Sequence, residues 1–221
     1  MGYPQPPSFS PLVLLTLLVI VAASSVTFWL LVRRATSHRQ WVALGDWARD
    51  QRFHFRRVAP DAAPAPLSAL QPPPTIRLSL AKGPTSLLQF EAASPAPAPV
   101  NVPRRILWNV LTRELPAEWP ATGLRPANAT ASVLDLFPLT SFPTLGATER
   151  FVAYGTDSAA ARVVSKSMLR SLLPPDVGLL LHGRHLVLDF SDRPFDAIEF
   201  GRMLALADQL AARLPVPPSR L

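Results

Sequence analysis

Residues 12–32 read LVLLTLLVIVAASSVTFWLLV, and the rest of the chain is interpreted from this stretch. Its 21 residues include no charge, no Pro and no Gly. At about 1.5 Å rise per residue, a helix of this length is roughly 31 Å long. That matches the ~30 Å hydrocarbon core of a bilayer. Buried helices of globular domains rarely run so far without a polar side. The stretch therefore predicts a transmembrane helix over 11–33. It does not read as a cleavable signal peptide. Residues 2–10, GYPQPPSFS, carry no basic side chain, and Phe28, Trp29 and Leu30 continue the apolar run past its small residues. Gly2 is not set for myristoylation, because Pro occupies position 6.

Flanking charge gives an orientation. Arg33, Arg34, His38 and Arg39 directly follow the run, and only the α-amino group precedes it. The positive-inside rule then places a short tail, 1–10, outside and the remainder in the cytoplasm of a bacterial inner membrane. Trp29, Arg33, Arg34, Arg39 and Trp41 are the expected membrane-interface residues, since amphipathic rings and cations settle at head-group level. Ala22, Ala23, Ser24, Ser25 and Thr27 form a small-residue patch suited to close packing against other transmembrane helices.

Composition narrows the function classes. The formal charge is +7, and Lys occurs only at Lys82 and Lys166, so the basic character is almost all Arg. A basic domain is attracted to anionic lipid head groups. The Arg residues are dispersed and no nucleic-acid motif accompanies them, which argues against a nucleic-acid partner. The absence of Cys removes disulfides, thiolate nucleophiles and Cys-ligated metal sites together.

Beyond the apolar run, 34–57 reads as a juxtamembrane amphipathic helix and a first strand. Trp41, Leu44, Trp47 and Ala48 recur at helical spacing, and Phe53–Arg57 alternates. Residues 58–74, VAPDAAPAPLSALQPPP, form a connector, because Pro removes the N–H that helices and central strands need. The domain proper is expected over 75–214, with 215–221 as a tail. Thr75–Ala81 and Ser86–Ala92 predict a hairpin around Lys82-Gly83-Pro84. Arg104–Leu115 reads as a strand, 116–130 as a loop, and Ser132–Leu139 and Arg150–Tyr154 as strands. A helix from Thr156 to about Leu173 carries Arg162, Lys166 and Arg170 at i, i+4 and i+8. This basic ridge is a candidate lipid or partner contact. Val177–Leu181 and Leu186–Phe190 predict a second hairpin, with His182-Gly183-Arg184-His185 at its turn. A last helix runs from Pro194 to Leu214 and buries Phe200, Met203, Ala207, Leu210 and Leu214. The fold class expected is α+β: one N-terminal transmembrane helix, then a cytoplasmic domain of short, mostly antiparallel strands covered by two C-terminal helices.

No chemistry emerges. G-x-S-x-G, P-loop, G-x-G-x-x-G and H-E-x-x-H motifs are all missing. His182 and His185, with Asp189 or Asp192 as third ligand, are the one metal set to weigh. Zinc needs three or four convergent ligands, and i, i+3 spacing across a turn does not enforce that convergence. The histidines are read as turn residues. No catalytic residue, metal or cofactor is expected, and the chain is not expected to be an enzyme.

The boundary Leu31-Val32-Arg33-Arg34, after one helix and before a Pro-rich domain, resembles the layout of single-span accessory subunits of bacterial energy-converting complexes. The H subunit of photosynthetic reaction centres is one such subunit. Residues Phe151 to Leu214 are also similar to uncharacterised membrane-anchored bacterial domains. The resemblance implies a non-catalytic subunit that anchors in the membrane and stabilises a large complex, photosynthetic or respiratory. Its partners would be membrane lipids and other integral membrane subunits. The alternative is a free-standing membrane-anchored regulatory or binding domain.

Overall fold

The computed structural model describes residues 18–22, 24–26, 41–56, 63–93, 105–137, 144, 146–155, 164 and 169–214. The chain divides into two compact units, Met1–Gly45 and Asp46–Leu221.

In the first unit, the described residues of the apolar run, 18–22 and 24–26, are helical. Leu18, Val19, Ile20, Val21 and Val26 are exposed there. The Ser25 hydroxyl turns back and donates to the Val21 carbonyl at 2.8 Å, a local bond that Ser forms readily within a helix. The expected N-terminal transmembrane helix is corrected: among the described residues, no helix is long and apolar enough to cross a membrane.

The second unit is built on an antiparallel sheet. Its strands are β1 (His54–Arg56), β2 (Thr75–Lys82), β3 (Thr85–Ala93), β4 (Arg105–Pro126), β5 (Gly146–Ala147), β6 (Phe151–Gly155) and β7 (Gly178–Asp189). The order is β1-β2-β3-β4-β6-β5, with β7 paired to β4. The central member is β4, which is 22 residues long. Its first half pairs with β3 and its second half with β6 along the same edge, while β7 runs along the other edge.

Two expectations fail at this central pair. Residues 116–130 were expected to loop because of their prolines, and 177–190 to turn back on itself. Instead β4 continues to Pro126, and β7 is one strand of 12 residues. Pro116 and Pro120 lack the N–H of a regular ladder. They sit between Arg113, where pairing with β3 ends, and Thr122, where pairing with β6 begins. The ladder to β7 also shifts register twice there, between Glu114 and Trp119 and between Trp119 and Thr122. A bulged segment is where a strand tolerates Pro. Gly183 lies opposite Trp119 with φ of 56°, so β7 kinks through the same place without reversing.

Both sheet faces are covered, but differently. One face packs against α3 (Ala197–Arg213), whose Asp196 cap accepts a 2.8 Å hydrogen bond from the Glu199 amide. Phe200, Met203, Ala207 and Leu210 form its buried stripe. Phe200 is ringed by Trp47, Phe190 and Phe195 in edge-on contacts of 4.4–6.0 Å. Trp47 belongs to α1, described over 41–50. The other face presents Leu88, Phe90, Trp108, Val110, Leu180 and Val187. Its roof includes two 3-10 turns, Leu67–Ala69 and Val133–Leu136. Of the helix expected over 156–173, the described part is Val164 and a short α2 (Leu169–Leu172). The expected fold class is thus corrected: among the described residues the sheet dominates, no helix can cross a membrane, and the two central strands are long rather than short.

Candidate functional site

The most organised polar site is a knot at the C-terminal end of β7. Asp189 is 6% exposed there. Its Oδ2 accepts from the Ser132 hydroxyl at 2.8 Å and from the Val133 amide at 2.7 Å. Its Oδ1 accepts from the Ser191 hydroxyl at 2.6 Å and the Ser191 amide at 3.2 Å. Burial pushes this carboxyl above the ordinary carboxylate value, and the Ser191, Val133 and Ser132 hydrogen bonds pull it back. The knot extends into the sheet. The Asn109 amide donates to Ser191 Oγ, the Phe190 amide donates to the Asn109 carbonyl, and Gln89 on β3 donates to Asn109 Oδ1 at 3.0 Å.

Ser132 also begins the roof turn. Its hydroxyl accepts from the Leu134 amide, and Asp135 Oδ2 accepts from the Ser132 amide at 2.9 Å, which completes a capping box. Arg125 on β4 grips both carboxylate oxygens of Asp135 at 2.9 and 3.2 Å. Close seating of this turn depends on two glycines. A Cβ at Gly123 would lie 2.2 Å from Leu134 Cδ2, and one at Gly178 would lie 3.2 Å from both Asp189 Cβ and Leu134 Cδ1.

A second cluster follows β7. Arg193 forks onto Asp176 at 2.6 and 2.7 Å and also donates to buried Glu199, which Arg202 reaches at 3.3 Å. The hydrogen bonds from Arg193 hold the Asp176 carboxyl below its ordinary value, and the same bonds raise the Arg193 guanidinium. Some of these bonds close local turns, and the Ser132–Asp189, Asn109–Ser191, Arg125–Asp135 and Arg193–Asp176 bonds tie distant backbone segments together.

The residues expected to carry function lie elsewhere. Ala22, Ser24 and Ser25 are helical and exposed, whereas Ala23 and Thr27 lie outside the described residues. So do Trp29, Arg33, Arg34, Arg39, Arg162 and Lys166. Trp41 is half-buried at the start of α1, and Arg170 falls within α2. His182 and His185 sit at the β7 bulge, not at a hairpin tip. The His182 ring is 6.2 Å from that of Phe137. His185 stands opposite Glu114 in the ladder, and burial lowers its pKa from the ordinary value. Asp189 is committed to the knot, and Asp192 is exposed. Among the described residues, no group of three or more His, Asp or Glu is placed to hold a metal ion. The sequence reading missed Ser132, Asp135, Asn109, Asp176 and Arg193. The Ser132-x-x-Asp135 spacing was the available signal, since a capping box marks the start of a helical turn, not of a strand.

No protein-family model matches the sequence, and no curated protein matches it. The fold is similar to that in the crystal structure of the mycobacterial trehalose monomycolate transport factor A, TtfA. The TM-score is 0.53 at 13% identity, over 81% of this chain and 96% of that one. At that identity the likeness speaks for the fold alone. The layout expected from reaction-centre accessory subunits is corrected at the level of fold: the similar fold is that of a protein named as a transport factor, and among the described residues no helix is long and apolar enough to cross a membrane.

Proposed function

We propose that the chain is a non-catalytic accessory protein of a large bacterial membrane assembly, and that this assembly is a transport machine. The observation that carries the reading is the direction of the polar side chains. Asp189, Ser132, Ser191, Asn109 and Arg193 spend their hydrogen bonds on one another, on further side chains and on backbone groups. Such a network fixes a surface in one shape, which is what a scaffold needs and what a reaction centre of exposed acids and bases does not resemble. The likeness to a protein named as a transport factor favours a transport assembly over the energy-converting one that the layout suggested. In this reading its partners are membrane lipids and integral membrane subunits, and it requires no cofactor.

The test is purification of the tagged full chain from membranes solubilised in mild detergent, followed by native electrophoresis and identification of the co-migrating proteins. The expected result is a band far above the 24.1 kDa monomer that contains an integral membrane transporter. Migration as a lone monomer overturns the proposal. Co-migration with a soluble regulator alone favours a free-standing binding domain instead.

A further inference from the structure

The face of α3 turned away from the sheet carries Ile198, Arg202, Ala205, Asp208 and Ala212, all of them exposed. Ile198, Ala205 and Ala212 recur every seven residues, the spacing that holds one seam along a helix. Ile198 is 70% exposed, the most exposed large apolar side chain described in the second unit. The charges around this seam are placed symmetrically. Arg202 lies three positions before Ala205 and Asp208 three positions after it, whereas Ile198 and Ala212 lie seven positions to either side. Along the helix axis these offsets are about 4.5 and 10.5 Å. The face is therefore its own complement when a second copy is turned end for end about Ala205. Each Arg202 comes level with an Asp208, and each Ile198 with an Ala212. A parallel pairing sets Arg202 level with Arg202 and Asp208 with Asp208. Both charges can take a second partner, since their side chains are 68% and 64% exposed. Arg202 meets Glu199 through Nη1 alone, at 3.3 Å. Arg113 donates to Asp208 Oδ1 and so positions that carboxylate with its other oxygen outward.

We propose that α3 docks antiparallel on α3 of a second copy of this chain, about a two-fold axis at Ala205, with the crossed Arg202 and Asp208 setting the register. A two-fold contact uses one patch twice and must be self-complementary, which this face is. The two copies of Ile198 supply apolar area to bury. The charges choose the orientation, because opposed like charges exclude the parallel arrangement. The inference does not rest on the accessory role proposed above.

The test is sedimentation velocity of the full chain in mild detergent over a concentration series. A monomer–dimer equilibrium is expected. Arg202→Asp and Asp208→Arg each set like charges level across the axis, and each should weaken self-association roughly tenfold or more. An equimolar mixture of the two variants turns every like pair into an opposite pair, so it should dimerise about as well as wild type. A monomeric wild type, unweakened single variants, or a mixture no better than either variant alone overturns the proposal. Should either variant fail to fold, cross-linking decides, since the chain has no Cys of its own. Oxidation of Ile198→Cys mixed with Ala212→Cys should give the mixed disulfide-linked dimer, because the antiparallel register brings these positions within bridging distance. Linkage of either variant to itself alone, or no linkage, refutes the antiparallel contact.

Discussion

The Ser132 hydroxyl donates to Asp189 Oδ2 at 2.8 Å, across a separation of 57 positions. The same hydroxyl accepts from the Leu134 amide, so one atom both starts the roof turn and fastens it to β7. Ser132→Ala removes the cap and one donor to the carboxylate. A lost N-cap costs about 0.5–2 kcal/mol. Asp189→Ala instead leaves the Val133 and Ser191 amides without their acceptor, at roughly 1–3 kcal/mol for each buried donor left unmet. Urea denaturation should therefore rank Asp189→Ala below Ser132→Ala, and the double variant should lose less than the sum. Strict additivity would show that the two residues do not act as one unit.

The titratable groups pull stability in opposite directions. Folding raises the Asp189 carboxyl above its ordinary 3.8, because burial disfavours its charge. Its contribution is full below pH 3.8 and is lost as pH rises through the folded value. Asp176 is lowered by its hydrogen bonds from Arg193, so its contribution is present above 3.8 and is lost as pH falls through the folded value. His185 is lowered from 6.5, chiefly by burial, and its contribution likewise disappears as pH falls below 6.5 and through the folded value. As pH falls from 8 to 3 the His185 and Asp176 contributions are lost in two stages while that of Asp189 grows, so the stages are read from thermal midpoints of the variants against wild type. His185→Gln should flatten the first, and Asp176→Asn the second. A profile with the same slopes in both variants refutes the assignment.

Two classes of glycine should behave oppositely. Gly123→Ala drives a methyl group into Leu134 Cδ2 and to 3.2 Å from the Leu179 carbonyl. Overpacking of this kind costs about 1–3 kcal/mol. Gly201 lies within α3, and a Cβ there meets nothing within 4 Å. Gly201→Ala should therefore stabilise by roughly 0.5–1 kcal/mol through helix propensity. Guanidinium unfolding midpoints test both signs, and a destabilised Gly201→Ala variant contradicts the open space at that position.

The legible parts of the fold were those whose pattern is local. The hairpin of β2 and β3 follows from alternation on both sides of Lys82-Gly83-Pro84, and Gly83 does adopt φ of 54°. The buried stripe of α3 follows from its period, with Phe200, Met203, Ala207 and Leu210 all buried. What could not be read depends on partners distant in sequence. Pro116 and Pro120 argue for a loop by every local rule, yet β4 carries them because neither β3 nor β6 pairs with that stretch. Gly183 argues for a hairpin, yet β7 continues because β4 bulges beside it. In the sequence Asp189 reads only as a third metal ligand to weigh beside two histidines. Its true neighbours, Ser132 and Val133, are brought to it only by the completed sheet.

Arg193 joins three parts of the fold, and its chemistry separates charge from shape. It reaches Asp176 in the turn before β7 with two nitrogens and Glu199 in the first turn of α3 with a third. Glu199 is only 5% exposed, so a carboxylate stranded there is poorly solvated. Arg202 stays 3.3 Å from it but is itself largely exposed, and it substitutes only in part. Arg193→Lys keeps the positive charge and loses the planar fork, since a single ammonium cannot span two carboxylates with matched geometry. We expect a loss of about 1–2 kcal/mol for Arg193→Lys, on the order of one to two hydrogen bonds to charged groups. Arg193→Ala should lose more, roughly 2–4 kcal/mol, because it also leaves Glu199 uncompensated. Adding Glu199→Gln to Arg193→Ala removes the stranded charge and should recover part of that loss. Urea denaturation of the wild type, Arg193→Ala, Glu199→Gln and the double variant gives the coupling directly. Recovery of about 1 kcal/mol or more supports a charge-driven clip, whereas a double variant no more stable than Arg193→Ala shows that Arg193 acts through packing instead.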